Sequence, residues 1–277
     1  MVNRSEAQKY LRNTHMPTVW CPGCGNGIVL KATIEAIKNL EYNKDDIAVV
    51  SGIGCSSRAT GYLDFNTMHT LHGRAIAFAT GVKLARPDLN VIVMTGDGDS
   101  MAIGGNHFIH ACRRNMDLTV IIFNNNIYGM TGGQYSPLTP TGSYATTSPY
   151  GDIETPFDTV ELAKVSGATY IARATTYHYA LLVKYIQKGL EHRGMSVIEA
   201  ISQCPTYYGR YNKVDSGPGM LQYFKENSVL LSQAKKMKEE ELEGKIVIGE
   251  FVEIDKPGYV DEYEKIRQRL GAGNNGK

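Results

Sequence analysis

Between Val91 and Gly133 the chain carries two short, almost wholly apolar runs, each closed by oxygen-rich residues. Val91-Ile92-Val93-Met94 leads into Gly96-Asp97-Gly98, and Thr119 to Phe123 leads into Asn124-Asn125-Asn126. Continuous β-branched and aromatic residues over so few positions are too short for free-standing helices and are typical of strands covered on both faces of a parallel sheet. The intervening residues, Ile103 to Arg114, predict the crossover helix of a βαβ unit. Ligands of such sheets collect beyond the carboxyl ends of the strands, where Asp97 and Asn125 both fall.

The residue types there suit a metal ion that holds a diphosphate. Mg²⁺ is a hard cation that takes oxygen ligands in octahedral geometry and shares them between one or two carboxylates and substrate phosphates. Asp97 offers charge, the Asn125 side chain a neutral oxygen, and a backbone carbonyl just beyond, such as that of Ile127, a third ligand. Gly96 and Gly98 let the backbone turn and approach a diphosphate without a Cβ in the way. The plainer alternative makes Gly-Asp-Gly an ordinary turn and the asparagines the start of a loop. Commoner nucleotide motifs are absent: position 101 is Met where a third glycine would stand, and no Gly-x-x-x-x-Gly-Lys-Ser/Thr run occurs.

Cys21-Pro22-Gly23-Cys24 is the sharpest other local signal. A C-x-x-C turn lets two thiolates converge on a metal or cluster, and Gly25 and Gly27 leave room beside it. Cys55 follows the apolar run Ile47 to Val50, and Cys204 follows the run Val197 to Ile201, again at expected strand ends. Cys112 falls inside the expected crossover helix and reads as a small buried hydrophobe. One C-x-x-C pair does not decide between zinc, an iron-sulfur cluster and a redox dithiol.

Composition narrows the function class. With 277 residues, 42% of them hydrophobic, and 29 glycines, the chain can enclose one large α/β domain with an appendage. Lys and Arg number 29 against 28 Asp and Glu, a net charge of +1, so no global field favours nucleic acid or an anionic membrane. The polar stretch Met1 to His15 lacks the apolar centre of a signal peptide and no apolar run is long enough for a bilayer, which predicts a cytoplasmic protein with reduced thiols.

Helices are expected over Gly27 to Asn39, Ala75 to Ala85 and Tyr177 to Glu191, the last with Leu182, Ile186 and Leu190 on one apolar stripe. Gly129 to Pro156 lacks periodicity and reads as a long loop of the kind that forms lids or interfaces. Lys235 to Glu241 reads as a solvated helical face, Ile246 to Ile254 as an extended segment, and Gly271 to Lys277 as a frayed terminus.

Gly96-Asp97-Gly98 followed by Asn124-Asn125 resembles the thiamine diphosphate-binding signature. Around it, in order, stand Trp20-Cys21-Pro22-Gly23-Cys24-Gly25, Gly52-Ile53-Gly54-Cys55-Ser56-Ser57-Arg58, Thr70-Leu71-His72-Gly73-Arg74-Ala75 and Tyr128-Gly129-Met130-Thr131-Gly132-Gly133-Gln134. From about Met16 to about Asn212 this set resembles the β subunit of 2-oxoacid:ferredoxin oxidoreductases, most of all the 2-oxoglutarate type. The resemblance implies a three-layer α/β thiamine diphosphate-binding fold with a mostly parallel sheet over residues 1–225 and a C-terminal arm over 226–277. It implies Mg²⁺ on Asp97, Asn125 and Ile127, diphosphate contacts at Gly96, Gly98 and Gly129, and a 4Fe-4S cluster on Cys21, Cys24, Cys55 and Cys204.

The implied reaction joins a 2-oxoacid and coenzyme A to an acyl-CoA, with CO₂ lost and the electrons passed through the cluster to ferredoxin. The glutamate that polarises the thiamine aminopyrimidine is implied to come from an α subunit, and further small ferredoxin-like subunits are possible partners. Arg58 and His72 are the candidate side chains for substrate, Arg58 as a clamp for the second carboxylate of 2-oxoglutarate and His72, beside His69 and Arg74, at the start of a helix. Tyr207, Tyr208 and Tyr211 are placed to shield a cluster. Pyruvate or a broad range of 2-oxoacids, a non-redox thiamine decarboxylase half with structural zinc, and an electron-transfer module without a substrate site are the competing readings.

Overall fold

The computed structural model describes residues 4–214 and 216–273. Eight strands form one sheet: β1 (Ile47–Ser51), β2 (Asn66–His69), β3 (Asn90–Gly96), β4 (Leu118–Asn124), β5 (Tyr170–Thr175), β6 (Met195–Ile201), β7 (Ser228–Leu230) and β8 (Ile246–Glu253). Their spatial order is β2-β1-β3-β4-β6-β5-β8-β7, parallel throughout except for the antiparallel β5–β8 pair.

The apolar runs become strands because both of their faces are covered. Every residue of β1, β4 and β6 is buried. Along β3, Ile92 and Met94 enter one apolar layer with the helices Asn26–Asn39 and Tyr179–Glu191. Val91 and Val93 enter the opposite layer with the helices Ala75–Ala85, Gly105–Arg113 and Thr159–Ser166. The two-residue pleat therefore feeds two cores, each fully buried aliphatic side chain contributing about 1.5–3 kcal/mol. Among the described residues no helix is long and apolar enough to cross a membrane.

The chain leaves β1 toward one edge of the sheet and β3 toward the other, so the loops beyond these neighbouring strands diverge and open a crevice. The start of the crossover helix differs from the expectation. A π-helical turn spans Asp99–Ile103, and the α-helix begins only at Gly105. A Cβ on Gly104 would lie 2.3 Å from the Asp99 carbonyl oxygen, so the backbone crosses itself closely where the two segments join. Such π turns are frequent at functional sites.

Lys235 to Glu241 is not one helix: only Glu239–Leu242 is helical in that stretch, after a turn. The helix Tyr259–Gly273 takes in the beginning of the expected frayed terminus, and residues 274–277 lie outside the described ones. The segment after 225 adds β7 and β8 to the sheet edge and places Val260 in the second core layer.

Asn115 fastens this segment. Its backbone adopts a φ of 49°, and its buried Nδ2 donates to the carbonyls of Lys256 (3.1 Å) and Pro257 (3.2 Å). Its Oδ1 accepts from Thr169 Oγ1 (2.7 Å) and the Met195 amide (2.8 Å). Asn115→Ala strands these groups and strains the left-handed backbone, an expected loss of roughly 2–4 kcal/mol in urea unfolding. Chymotrypsin should then cut after Tyr259, whose amide bonds the Asn115 carbonyl, before attacking the sheet; a variant as stable and as resistant as the parent would show that the staple is not needed.

Candidate active site at the carboxyl edge of the sheet

The loops beyond β1, β2, β3 and β4 enclose a cavity of about 200 Å³ lined by Cys55, His72, Gly96 to Asp99, Asn125, Ile127 and Gly129, among others. The candidate diphosphate and magnesium residues therefore share one space with one candidate cluster ligand. Asp97 is 4% exposed, its Oδ2 accepts from Ser136 Oγ at 2.6 Å, and the amides of Gly98 and Ile127 also bond to it. Burial lifts its carboxyl to about pH 6, and those hydrogen bonds offset only part of the rise. No basic side chain pairs with Asp97 among the described residues, which leaves a buried acid suited to a cation. Asn125 Oδ1 accepts from the Ile127 amide at 3.4 Å, and the same amide bonds Asp97, which brings the three candidate ligands together.

Gly98 is required by space. A Cβ there would lie 2.1 Å from Tyr128 Cε1, and the Tyr128 hydroxyl donates to the Gly98 carbonyl at 3.1 Å. Ser136, whose hydroxyl reaches Asp97, comes from the long loop after β4, and nothing in the sequence distinguishes it from the loop's other hydroxyls. The loop is folded upon itself by bonds such as Tyr128 amide to Gln134 carbonyl at 2.9 Å and Asp152 amide to Ser143 carbonyl at 2.8 Å.

Asp99 is the second acid of the loop, and sequence reasoning passed over it. Its Oδ1 accepts from His72 Nδ1 (2.7 Å), the Gly73 amide (2.6 Å) and the Ile53 amide (3.3 Å); its Oδ2 accepts from Thr95 Oγ1 (2.8 Å). The carboxylate fixes His72 with Nδ1 protonated and leaves Nε2 without a partner among the described residues. His69 is exposed on β2, while Arg74 is spent on the carbonyls of Gly73 and Ile103.

The four candidate cluster cysteines converge. The Cys21–Cys24 turn closes through a 3.1 Å bond from the Cys24 amide to the Cys21 carbonyl, and the Gly25 amide donates to the Gln203 carbonyl at 3.0 Å, next to Cys204. Trp20 Nε1 donates to the Cys55 carbonyl at 2.7 Å. A Cβ on Gly129 would stand 3.4 Å from Cys55 Sγ and 3.9 Å from Cys204 Sγ. Burial pushes the Cys24 thiol up to about 12 and Cys55 to about 11, each raised further by the neighbouring cysteines; Cys204 rises for the same reason. Cys112 is buried in the layer on the opposite side of the sheet, a packed side chain as expected.

Tyr207 and Tyr208 bond Cys204 through their amides and pack beside it with Ile127 and Ala145, whereas Tyr211 is exposed. Arg58 lies on the short turn Ser56–Arg58, exposed, outside the cavity lining and without a bonded partner among the described residues. It is close enough to Cys55 to favour the thiolate there.

Sheet order and crevice together define the diphosphate-binding half of a thiamine-dependent enzyme: residues 52–200 match the family model of the thiamine pyrophosphate enzyme C-terminal TPP binding domain. The 2-oxoglutarate synthase subunit KorB of Methanocaldococcus jannaschii is 57% identical over 264 residues, covering 95% of this chain and 98% of that one. Its counterpart in Archaeoglobus fulgidus is 48% identical and covers 98% of each. A solved 2-oxoglutarate:ferredoxin oxidoreductase from Magnetococcus marinus, with 2-oxoglutarate, coenzyme A and succinyl-CoA bound, superposes with a TM-score of 0.85 at 36% identity, over 95% of this chain and 90% of that one. The chain belongs to the 2-oxoacid:ferredoxin oxidoreductase β-subunit family, within its 2-oxoglutarate synthase KorB group.

The raised carboxyl of Asp97 has a measurable consequence. A folded value of about 6 against about 3.9 unfolded means that the folded chain binds this proton more tightly, so stability is lost as pH rises from about 4 to about 6. Asp97→Asn removes that loss: the cofactor-free chain should match the parent below pH 4 and exceed it by about 2–3 kcal/mol at pH 7 in urea unfolding. Parallel pH profiles for the two proteins would refute the assignment.

Proposed function

We propose that this chain is the catalytic β subunit of a 2-oxoglutarate:ferredoxin oxidoreductase, which takes 2-oxoglutarate, coenzyme A and oxidised ferredoxin to succinyl-CoA, CO₂ and reduced ferredoxin, reversibly. The observation that carries the reading is the position of Gly129, which lines the Asp97–Asn125 cavity together with Cys55 and lies beside the sulfurs of Cys55 and Cys204. The candidate diphosphate site and the candidate cluster site adjoin at this residue.

In this reading the Asp97 carboxylate, the Asn125 side-chain oxygen and the Ile127 carbonyl hold Mg²⁺, and Gly96, Gly98 and Gly129 admit the diphosphate. Cys21, Cys24, Cys55 and Cys204 hold a 4Fe-4S cluster. Both groups fit what surrounds them: a buried acid gains its cation, and thiols that burial keeps protonated gain metal in exchange for protons. When bound, thiamine diphosphate supplies an electron sink for decarboxylation and the cluster a one-electron acceptor.

The chain's own residues bind, orient and exclude water. Asp99 holds the His72 ring so that Nε2 can meet an oxygen or a proton in the cavity. Arg58, exposed, near Cys55 of the cavity lining and without a bonded partner among the described residues, clamps the distal carboxylate of 2-oxoglutarate. Tyr207 and Tyr208 pack over Cys204 and keep water from it.

Among the described residues the cavity lining contains no glutamate, and it includes the exposed side chains of Ile53 and Met130. We assign this face to an α subunit that completes the thiamine site, and the exposed Tyr263, Ile266 and Leu270 of the arm 226–277 to a subunit contact. Reduced cysteines and the ferredoxin couple fit a cytoplasmic setting.

Anaerobically purified protein should be brown and carry about four irons per chain, and Cys204→Ser should lose most of them; zinc in place of iron would overturn the redox assignment. The chain alone should turn over negligibly and gain oxoacid oxidation on addition of its α partner. In that complex Arg58→Ala should raise KM for 2-oxoglutarate roughly 10- to 100-fold, the worth of one charge-assisted contact, and leave pyruvate use unchanged. Equal losses on both acids would remove Arg58 from substrate recognition.

A further inference from the structure

Asn26 opens the helix Asn26–Asn39, two residues after Cys24, and is 0% exposed. Neither Oδ1 nor Nδ2 of its side chain has a hydrogen-bond partner among the described residues. A buried polar group left dry costs about 1–3 kcal/mol, so an amide with both ends unsatisfied calls for a ligand from outside the polypeptide. Its surroundings say which. The Asn26 backbone N–H already bonds the Cys24 sulfur, and the residue between them, Gly25, is pressed against Ser202 and Gln203, the two residues that lead into Cys204. Gln203 does not answer the Asn26 side chain; its Oε1 accepts from Thr176 Oγ1 at 2.6 Å. Asn26 thus sits where the segments bearing Cys24 and Cys204 meet.

We propose that the Asn26 side-chain amide donates a hydrogen bond to a sulfur of the cluster held by Cys21, Cys24, Cys55 and Cys204, and so raises the cluster's reduction potential. The proposal rests on the cluster reading above and deepens it. Reduction adds one electron, taken from the oxoacid, and the extra negative charge spreads over the sulfurs; a donor aimed at a sulfur stabilises that state more than the oxidised one. Asn26 acts through the cluster, as a positioning residue for charge. The competing occupant is a buried water shared with the hydroxyl of Ser202, which is buried and without a partner among the described residues too.

The test is an EPR-monitored redox titration of the whole complex. Asn26→Leu, and Asn26→Ser as the variant with a smaller polar side chain, should keep full iron and shift the one-electron equilibrium at least tenfold toward the oxidised cluster, about 59 mV lower. Ser202→Ala should leave the potential in place. Full iron with an unmoved potential in both Asn26 variants would overturn the proposal and assign the amide to water. A measurement without substitution serves if neither variant folds: pulsed EPR of the reduced complex, labelled with ¹⁵N at asparagine side chains, should resolve coupling to one amide, and its absence counts against the proposal. Failure of the cluster reading is recognised separately, by unsubstituted protein that lacks iron and any reducible EPR signal.

Discussion

Two carboxylates two residues apart organise the carboxyl edge of this sheet, and their different company separates scaffold from chemistry. Asp99 is saturated: four donors, from the loops after β1 and β2 and from the end of β3, reach its two oxygens. Each of those loops would otherwise be free to move above the sheet, and each carries part of the cavity wall. Even the glycine after β1 answers to this acid, since a Cβ on Gly52 would stand 2.1 Å from Asp99 Oδ2. Asp97 is buried as deeply but receives hydrogen bonds without a cation, and its carboxyl is displaced upward accordingly. A carboxylate satisfied by its own fold has little left for a metal; one left short is available to it.

The same contrast runs through the sulfur site. Cys112 needs nothing beyond packing, and its neighbours are apolar. Cys24, Cys55 and Cys204 are held near one another by backbone contacts that do not use their sulfurs: Gly25 on Gln203, Trp20 on the Cys55 carbonyl. The polypeptide by itself brings these thiols near one another, and Gly129 of the cavity lining lies beside the sulfurs of Cys55 and Cys204.

Legibility in the sequence followed burial on two faces. β3 and β4 stand out because parallel strands in the middle of the sheet can be almost wholly apolar. β2 did not stand out, being an edge strand of Asn-Thr-Met-His with three exposed residues. β5 was hidden by Arg173, whose burial is possible only because Glu199 on β6 (2.6 Å) and Asp158 (2.8 Å) pair with it, a match that sequence distance conceals. At the candidate site, Asp97, Asn125, Cys55 and Cys204 drew attention as residue types at strand ends, and Cys21 and Cys24 as a C-x-x-C turn. Ser136 and Asp99 were not, because their roles exist only once loops far apart in the chain close on the same oxygen atoms.

A chain that buries an unpaired acid, several protonated thiols and an unsatisfied amide around one edge carries a cost in its cofactor-free state. Groups that bind only the folded chain repay such a cost through linkage, so loading and folding stability rise together. The two sites are not independent in this respect. Ile127 packs against Cys204 and, in the proposed reading, would offer its carbonyl to the magnesium, with Gly129 close behind in the chain. Filling either site would then stiffen the turn that the other needs, and the loop after β4 would link binding of the cluster to binding of the diphosphate.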